Sequence, residues 1–466
     1  MKPLDDTIAA IATAMGPGGL AVVRVSGSES LRVADAVFRG SAPLAKALGH
    51  TLHHGWAVAA RNGDGADETR LDEVVAAVFR GPKSYTGEDT VEFSCHGGEV
   101  PARRVLGALR VAGARLAGPG EFTLRAYLRG RLDLAQAEAV ADLVHAETES
   151  ASDLALAQLS GTLSRRIAGL EDRLADSAAE VEARVDFAED VGGIETPAHV
   201  RDEIRDVSDE LTRLLAGTPW ARAVREGVRV PLVGRPNAGK SSLFNALLGE
   251  DRAIVTDEPG TTRDRVSERL EISGVAVTLS DTAGVHTATS EVEALGVERA
   301  LATLDGAAVA LWVVDGAAPF EPPDQALAAK LNGRSVLAVL AKSDLPATTM
   351  AESLAWGAGE RPARVVRVSA TTGAGLDALR AALASLLGAD QSGGLAGAVA
   401  NPRHADSLER AREALVRAAG AADQGAPGEI VALELREALA ALGEVTGRNV
   451  SEDLLERIFA RFCIGK

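Results

Sequence analysis

The sequence has 466 residues, too long for a single hydrophobic core, and roughly 150 residues per domain favours two to four domains. Its composition, 46% hydrophobic and 25% charged, excludes an extended disordered chain, a collagen-like repeat and a disulfide-rich scaffold. The formal net charge of −17 argues against a protein that binds nucleic acid through bulk positive charge, because that mode needs clustered lysine and arginine.

The acidic charge is concentrated in one of four predicted segments. The net charge is 0 over residues 1–118, −11 over 119–220, and −3 over each of 221–388 and 389–466. Two cysteines are too few to cross-link such a chain, and no apolar run reaches the roughly 18 residues that span a bilayer. We therefore expect a cytoplasmic protein that does not enter a membrane.

The first segment, residues 1–118, has the pattern of a small α+β domain. Apolar, β-branched runs at residues 20–25 and 73–79 predict strands, and clusters of glycine and proline separate them.

The second and fourth segments are predicted to be helical. Between residues 163 and 185, apolar residues recur with a period of about 3.67, which predicts one long, nearly straight helix. Helical patterns return at 408–416, 430–442 and 454–462. We therefore predict one discontinuous helical bundle formed by residues 119–220 and 389–466.

The third segment, residues 221–388, alternates predicted strands with predicted helices, which favours a parallel sheet covered by helices. The strands are predicted at residues 228–233, 275–279, 307–314, 335–340 and 363–368. This α/β domain is predicted to be inserted into the helical bundle, because insertions succeed where the two ends of a segment lie close together.

The first of these strands leads into GRPNAGKS at residues 234–241, the GxxxxGK[ST] pattern of a phosphate-binding loop. Its backbone N–H groups and the following helix N-terminus favour phosphate. Lys240 is predicted to reach the β and γ phosphates, and Ser241 to bind Mg²⁺.

Three later motifs predict that the nucleotide is GTP. Asp281, at the start of DTAG at 281–284, is positioned to hold Mg²⁺ through water, and Gly284 to sense the γ-phosphate. Thr262 is a candidate switch residue that closes on Mg²⁺ when the γ-phosphate is present. Asp344 can accept hydrogen bonds from guanine, with Lys342 along the base and Ser369-Ala370 completing the pocket.

These motifs together resemble the translation-factor-like GTPases, with two departures. The usual pattern at positions 341–344 is Asn-Lys-x-Asp, and here Ala341 replaces the asparagine. The hydrogen bonds of the asparagine side chain are lost, so we predict weaker affinity for guanine nucleotides. After Gly284, an apolar Val285 stands near where a glutamine orients the attacking water in Ras-like proteins.

Over essentially its whole length the chain resembles the MnmE (TrmE) family of bacterial tRNA-modifying GTPases. The resemblance lies in residues 234–242, DEPGTTRD at 257–264, the terminal FCIGK at 462–466, and the front motifs DTIAA at 6–10, YTGED at 85–89, HGG at 96–98 and LDLAQAEA at 132–139. It implies an N-terminal α+β folate-binding-like domain, a discontinuous helical bundle and an inserted Ras-like P-loop G domain.

The resemblance implies a GTPase activated by K⁺ and by dimerisation of its G domains. Glu293 matches the glutamate that positions water, with Lys240 as the other catalytic residue. Mg²⁺ is expected at Ser241 and Thr262, and K⁺ at Asn237, Thr256, Glu258 and Thr261. The expected GTP-binding residues are Asn237, Ala238, Gly239, Lys240, Ser241, Ser242, Thr256, Asp257, Glu258, Pro259, Gly260, Thr261, Thr262, Asp281, Thr282, Ala283, Gly284, Lys342, Asp344, Ser369 and Ala370.

For the front domain, the resemblance implies dimerisation and binding of a 5-formyl- or methylene-tetrahydrofolate. Arg24, Glu92, Arg131 and Lys466 match the folate-binding positions. A carboxylate such as Glu92 suits the donor edge of a pterin, and arginines suit the carboxylates of a glutamate tail. Cys463 is a candidate reactive thiol, and the alternative is that the tail only packs or docks near the folate pocket.

The implied activity is addition of a carboxymethylaminomethyl or aminomethyl group to C5 of the wobble uridine of certain tRNAs. The implied partners are a second copy of the chain, a flavoprotein of the MnmG (GidA) family in a heterotetramer or larger assembly, and tRNA bound mainly through that flavoprotein. The alternatives are a ribosome-assembly GTPase of the Era or EngA type, a folate-dependent one-carbon transferase with a regulatory G domain, and a signalling switch.

Overall fold

A computed structural model describes residues 6–59, 69–187, 195–250, 267–281, 307–350, 354, 364–391 and 397–466. The chain divides into two compact units. The first contains residues 1–144, 159–167 and 442–466, and the second contains residues 145–158 and 168–441. The division falls within helices Thr162–Asp186 and Gly428–Thr446 and before the last residue of helix Glu149–Leu159.

The first unit is built on a seven-stranded sheet, in agreement with the α+β prediction. Its strands are β1 (Ile8–Ile11), β2 (Leu20–Ser26), β3 (Phe38–Gly40), β4 (Thr51–Val58), β5 (Arg70–Phe79), β6 (Thr90–His96) and β7 (Arg115–Leu116). They lie in the order β3-β4-β5-β6-β2-β1-β7, and only the β1–β7 pair is parallel. Helices Ser30–Val37 and Glu99–Val111 cover one face of the sheet. Strands β2, β5 and β6 therefore alternate buried side chains, which point to that face, with more exposed ones.

Three further helices of this unit share a second apolar cluster: Glu121–Leu128, Leu134–Val144 and Glu452–Phe459. Phe459 and Phe462 lie in contact in this cluster, which also contains Ala126, Leu134 and Ala137. Gly120 has φ +63°, and a Cβ there would lie 2.7 Å from the carbonyl oxygen of Phe459. A glycine is therefore needed at residue 120, where the end of helix Glu452–Phe459 contacts the start of helix Glu121–Leu128.

The second unit contains a six-stranded sheet. Its strands are β8 (Val228–Val233), β9 (Ser267–Ile272), β10 (Val275–Asp281), β11 (Ala310–Asp315), β12 (Val336–Ala341) and β13 (Val365–Arg367). The order is β13-β12-β11-β8-β10-β9, with β9 antiparallel and every other pair parallel. The helices of this α/β part are Thr218–Glu226, Lys240–Glu250, Pro322–Leu331 and Leu376–Leu386. The prediction of a parallel sheet covered by helices is confirmed.

The remaining helices of this unit lie in the two segments predicted to be helical, although no apolar pattern was predicted over Glu149–Leu159 or Ala198–Ala216. They are Glu149–Leu159, Ala198–Ala216 and Pro402–Asp423, together with most of Thr162–Asp186 and Gly428–Thr446. In Thr162–Asp186 the stripe predicted from sequence is buried from Leu163 to Val181, as an amphipathic helix requires, and Val185 at its end is only half-buried. None of the helices in the described ranges is both long and apolar enough to cross a bilayer.

The two compact units do not coincide with the four predicted segments. Residues 119–144 belong to the same unit as the front sheet, so the predicted helical bundle is divided between the units. The predicted boundary between residues 220 and 221 falls inside helix Thr218–Glu226, whose Trp220 and Val224 belong to the core cluster of the six-stranded sheet. These contacts place that helix with the sheet, and the four-domain division stays a prediction.

Candidate functional site

The predicted phosphate-binding loop connects the carboxyl end of β8 to helix Lys240–Glu250. Asn237 adopts φ +63° and Gly239 φ +103°, so the backbone curls tightly before the helix begins. A Cβ on Gly234 would lie 2.2 Å from the carbonyl oxygen of Val313 on β11. The loop therefore needs glycine where it crosses the neighbouring strand, and its curvature suits backbone N–H groups that converge on an anion.

Lys240 is buried at the start of its helix. Its ammonium donates to the carbonyl oxygens of Gly234, at 2.9 Å, and Arg235, at 2.7 Å. Ser241 and Ser242 follow on an exposed part of the same turn. The structure thus brings the predicted phosphate lysine and the predicted Mg²⁺ ligand Ser241 together at a helix N-terminus.

Arg235 connects this loop to helix Pro322–Leu331, a contact that the sequence motifs did not predict. Its guanidinium lies 3.1 Å from Asp324 Oδ2 and 2.7 Å from Glu321 Oε2. Hydrogen bonding to Asp324 and then Glu321 outweighs desolvation and raises the pKa of Arg235. The only sequence signal for this contact is the charged Arg235 inside the motif. Its partners could not be predicted, because they lie 86 and 89 residues away in sequence.

The predicted guanine-binding residues follow β12 and β13. Ser369 is buried, and its hydroxyl donates to Asp344 Oδ1 at 2.6 Å. This hydrogen bond lowers the pKa of the Asp344 carboxyl, which favours the ionised acceptor. Lys342 adopts φ +60°, and Ala370 lies half-buried beside Ser369. The structure therefore brings together Asp344 and Ser369 as predicted.

Ala341, in place of the usual asparagine, is buried at the end of β12. A Cβ added to Gly239 would lie 3.2 Å from the Ala341 Cβ, so position 341 faces the phosphate-binding loop. A longer polar side chain at 341 can therefore reach the loop.

We expect the Ala341→Asn variant to bind GDP about tenfold more tightly, because an asparagine there adds one or two neutral hydrogen bonds. Titration calorimetry measures the change in Kd. Ala347→Asn is the matched control, since Ala347 is exposed further along the same segment. An unchanged Kd in Ala341→Asn would contradict the expectation.

Several predicted site residues lie outside the described residues. They are Thr256, Asp257, Glu258, Pro259, Gly260, Thr261, Thr262, Thr282, Ala283, Gly284 and Glu293. Asp281 is described only as the last residue of β10. In the described part of the chain, no group of three or more His, Cys, Asp or Glu side chains could hold a metal ion.

The predicted folate residues Arg24 and Glu92 face each other on β2 and β6. Arg24 Nε donates to Glu92 Oε1 at 2.7 Å, and their side chains are 13% and 24% exposed. The Arg24 guanidinium lies 4.9 Å from the ring centre of Tyr85 and 5.4 Å from that of Phe122. Arg24 is therefore held in an aromatic and ionic site, and it is not a solvated surface cation.

Tyr85 contacts both predicted arginines, although it is not among the predicted folate-binding residues. The Arg131 guanidinium lies 5.4 Å from the Tyr85 ring centre. The Tyr85 hydroxyl and Thr123 Oγ1 are 2.8 Å apart, and burial raises the pKa of Tyr85. The only sequence signal for Tyr85 is that it begins the YTGED motif. That motif does not indicate which side chains the Tyr85 ring contacts.

The C-terminal tail packs against the site formed by Arg24, Glu92 and Tyr85, which is called the front site below. Ile464 pairs with Pro119, and Arg24 Nη1 donates to the carbonyl oxygen of Gly465 at 3.4 Å. Lys466 is half-buried next to it, whereas Cys463 is exposed. The structure thus places the predicted residues Arg24, Glu92, Arg131 and the tail that carries Lys466 in one neighbourhood.

The other cysteine, Cys95, is buried, and its thiol donates to the carbonyl oxygen of Ala21 at 3.4 Å. Burial raises the pKa of Cys95 to about 11, so this thiol is unreactive at neutral pH.

Two family models match the chain. The model described as the MnmE helical domain matches residues 134–463, and the model described as the GTP-binding protein TrmE N-terminus matches residues 7–131. A tRNA modification GTPase MnmE from Symbiobacterium thermophilum is 46% identical, covering 99% of this chain and 100% of that protein. The proteins of the same name from Chloroflexus aurantiacus and Geobacillus thermodenitrificans are 43% and 42% identical, each over 99% of this chain and 100% and 99% of their own lengths.

Proposed function

This chain belongs to the MnmE family of tRNA modification GTPases, and we propose that it is a potassium-activated GTPase that modifies the wobble uridine of certain tRNAs. The observation that carries the nucleotide part is the convergence of two motifs at the carboxyl ends of parallel strands. The phosphate loop follows β8, and the segment with Lys342 and Asp344 follows β12. Ligands bind at this edge in open α/β sheets.

Within this site, Lys240 would bind the β and γ phosphates, and Ser241 with Thr262 would hold Mg²⁺. Asp344 would accept from guanine, with its charge maintained by the hydrogen bond from Ser369. Bound Mg²⁺ would neutralise charge that develops on the transferred phosphoryl group.

We further propose that K⁺ binds at Asn237, Thr256, Glu258 and Thr261. A bound monovalent cation would supply positive charge of the kind that an arginine finger supplies in other GTPases. Asn237 fits this role, because it is an exposed residue of the phosphate loop with a side-chain oxygen that can ligate a cation. Glu293 would orient the attacking water.

The front site is proposed to bind a 5-formyl- or methylene-tetrahydrofolate as the one-carbon donor. Glu92 offers a carboxylate to the pterin edge, while Arg131 and Lys466 offer cations for the glutamate tail. The Arg24–Glu92 ion pair and the Tyr85 ring support this proposal, since they form a preorganised polar site with an aromatic wall. Cys463 is exposed and stays a candidate reactive thiol.

We propose a cytoplasmic homodimer that works with a flavoprotein of the MnmG (GidA) family in a heterotetramer or larger assembly. The product would carry a carboxymethylaminomethyl or aminomethyl group at C5 of the wobble uridine. Because the chain has a net charge of −17, it should hold tRNA weakly by itself. The partner is therefore proposed to supply most of the basic surface that binds tRNA.

Mass spectrometry of tRNA wobble uridines in a deletion strain tests this function. We expect the C5 modification to disappear on deletion, to return with the wild-type chain, and to stay absent with Glu92→Gln. Glu73→Gln is the matched control, because Glu73 is an exposed residue of the same sheet that pairs with His54 outside the folate site.

Three outcomes of this experiment separate the alternatives. Normal modification in the deletion strain contradicts the tRNA function, and an accompanying defect in ribosomal subunits favours the Era or EngA type of activity. Full restoration by Glu92→Gln contradicts the proposed folate site alone and leaves the tRNA function standing.

A further inference from the structure

Asp315 is the last residue of β11, and it lies directly opposite Ala341 in the parallel register of β11 and β12. Its Oδ2 atom lies 2.6 Å from the Lys342 ammonium, and its Oδ1 atom accepts from the backbone N–H of Ala317 at 2.9 Å. The side chains of Lys342 and Asp315 are 36% and 22% exposed. The carboxylate is thus fixed on one side by its own loop and holds the predicted base-contacting lysine on the other.

Backbone hydrogen bonds tie the same short loop to both ends of the guanine segment. At the first end, Gly316 donates to the carbonyl oxygen of Ala341 at 2.9 Å. At the far end, Thr348 and Thr349 donate through their backbone N–H groups to the carbonyl oxygen of Gly316 at 2.8 and 3.1 Å. The segment that carries Lys342 and Asp344 is therefore clamped by the residues that follow β11.

Lys342 requires such a restraint, because it adopts a left-handed backbone conformation that is unfavourable for a residue with a Cβ. An asparagine at position 341 would offer hydrogen-bond donors and an acceptor to hold the segment, and the buried methyl group of Ala341 offers none. The Asp315 carboxylate is the charged group found on the Lys342 ammonium instead.

We propose that Asp315 is a positioning residue of the guanine pocket, which holds Lys342 in place where this chain lacks the asparagine. This inference rests on the proposed guanine site and deepens it. It assigns to Asp315 a role in nucleotide affinity, exerted through Lys342 and not through contact with the nucleotide.

The test is a double-mutant cycle measured as the Kd for GDP by titration calorimetry on the full chain. We expect Asp315→Asn to weaken GDP binding roughly five- to tenfold, because it removes a charge-assisted hydrogen bond and keeps an acceptor for Ala317. In the Ala341→Asn background the same change is expected to have less than about a twofold effect, since the asparagine then holds the segment. In steady-state kinetics, Asp315→Asn should raise KM more than it lowers kcat.

Asp377→Asn is the matched control. Asp377 is fully exposed on helix Leu376–Leu386 of the same α/β part, where it pairs with Arg380. Its loss should leave the GDP Kd unchanged, and circular dichroism of all variants should show that folding is intact.

Asp344→Asn separates failure of this inference from failure of the guanine site. If Asp344→Asn weakens GDP binding and Asp315→Asn does not, Asp315 is not a positioning residue. Tighter binding in Asp315→Asn would overturn the proposal as well, since Asp315 would then compete with the nucleotide for Lys342. An equal penalty with and without Ala341→Asn would show that Asp315 does not stand in for the asparagine. Unchanged binding in Asp344→Asn would instead contradict the guanine site itself.

Discussion

Replacing Lys240 with alanine is expected to lower GTP turnover roughly 10²–10³-fold, the usual cost of removing one donor that stabilises developing charge. The Lys240 ammonium is the buried cation of the phosphate loop, and it donates to the carbonyl oxygens of Gly234 and Arg235. Those two carbonyls lie in the loop itself, so a short movement of the side chain would carry the ammonium to a bound phosphate. Phosphate release in KCl measures the loss.

The affinity for GDP should fall as well, roughly tenfold or more, because a charged hydrogen bond to phosphate is worth about 1.5–3 kcal/mol. Arginine should not restore activity at this position. Its planar guanidinium cannot replace a compact ammonium that fits between two loop carbonyls. Turnover in Lys240→Ala within about fivefold of the wild type, measured by the same assay, would contradict the phosphate site.

Glu293→Ala provides the comparison that separates binding from hydrolysis. If Glu293 orients the attacking water, this variant loses potassium-stimulated turnover and keeps the wild-type Kd for GTP. Lys240→Ala should lose both. Equal stimulation by K⁺ in wild type and Glu293→Ala would contradict the role proposed for the glutamate.

Local sequence patterns predicted the elements that depend on near neighbours. Strand β8 was predicted over residues 228–233 and has those bounds, because three valines and a leucine within these six residues precede a glycine-rich motif. The helix Thr162–Asp186 was predicted from its 3.67-residue period and buries that stripe as far as Val181. Asp344 and Ser369, predicted to share a pocket, are hydrogen-bonded because β12 and β13 are adjacent and parallel.

Contacts between residues far apart in sequence could not be predicted in the same way. Arg235 and Asp324 are 89 residues apart, and Tyr85 meets Arg24 and Arg131 only after the front sheet and the first helices have packed. Periodicity assigns a residue to a face of a helix or strand, but it does not say which distant charge that face will meet. Asp315 was missed for this reason, since its role depends on the register of β11 with β12.

Arg125 is the second position where a large effect is expected, and it lies in the first unit. Its side chain is 1% exposed, and its guanidinium lies 2.6 Å from Asp6, 3.2 Å from Glu88 and 3.1 Å from Glu121. Glu88 belongs to the YTGED motif, and its side chain is 5% exposed. The motif therefore supplies a buried carboxylate for a cation on helix Glu121–Leu128.

We expect Arg125→Met to destabilise this unit by about 3–5 kcal/mol, because removing one member of a buried ionic cluster leaves carboxylates desolvated with fewer partners. Arg115 remains hydrogen-bonded to Asp6 and Glu121, and Arg129 remains paired with Glu88, which favours the lower end of that range. Hydrogen exchange of strand β6, measured by mass spectrometry, reports the loss. Exchange of β12 in the other unit is the internal reference.

Arg205→Met is the control for loss of an arginine as such. Arg205 pairs with Asp423, and both side chains are about half exposed, so solvent screening leaves this pair little effect on stability. Equal, small effects of Arg125→Met and Arg205→Met on β6 exchange would contradict a structural role for the buried cluster.

Acid provides an independent check on the same cluster. Hydrogen bonds, first from Arg115 and then from Arg125, outweigh desolvation and lower the pKa of Asp6. Since the pKa is lower in the folded state, this carboxylate contributes stability above its unfolded pKa of about 3.9, and the contribution is lost as the pH falls through the folded value. Arg125→Met removes one of the two cations, so its stability should depend less steeply on pH in that acidic range. An identical acid dependence in the variant and the wild type would show that Arg125 does not stabilise the Asp6 carboxylate, and would leave Arg115 as its only effective partner among the described residues.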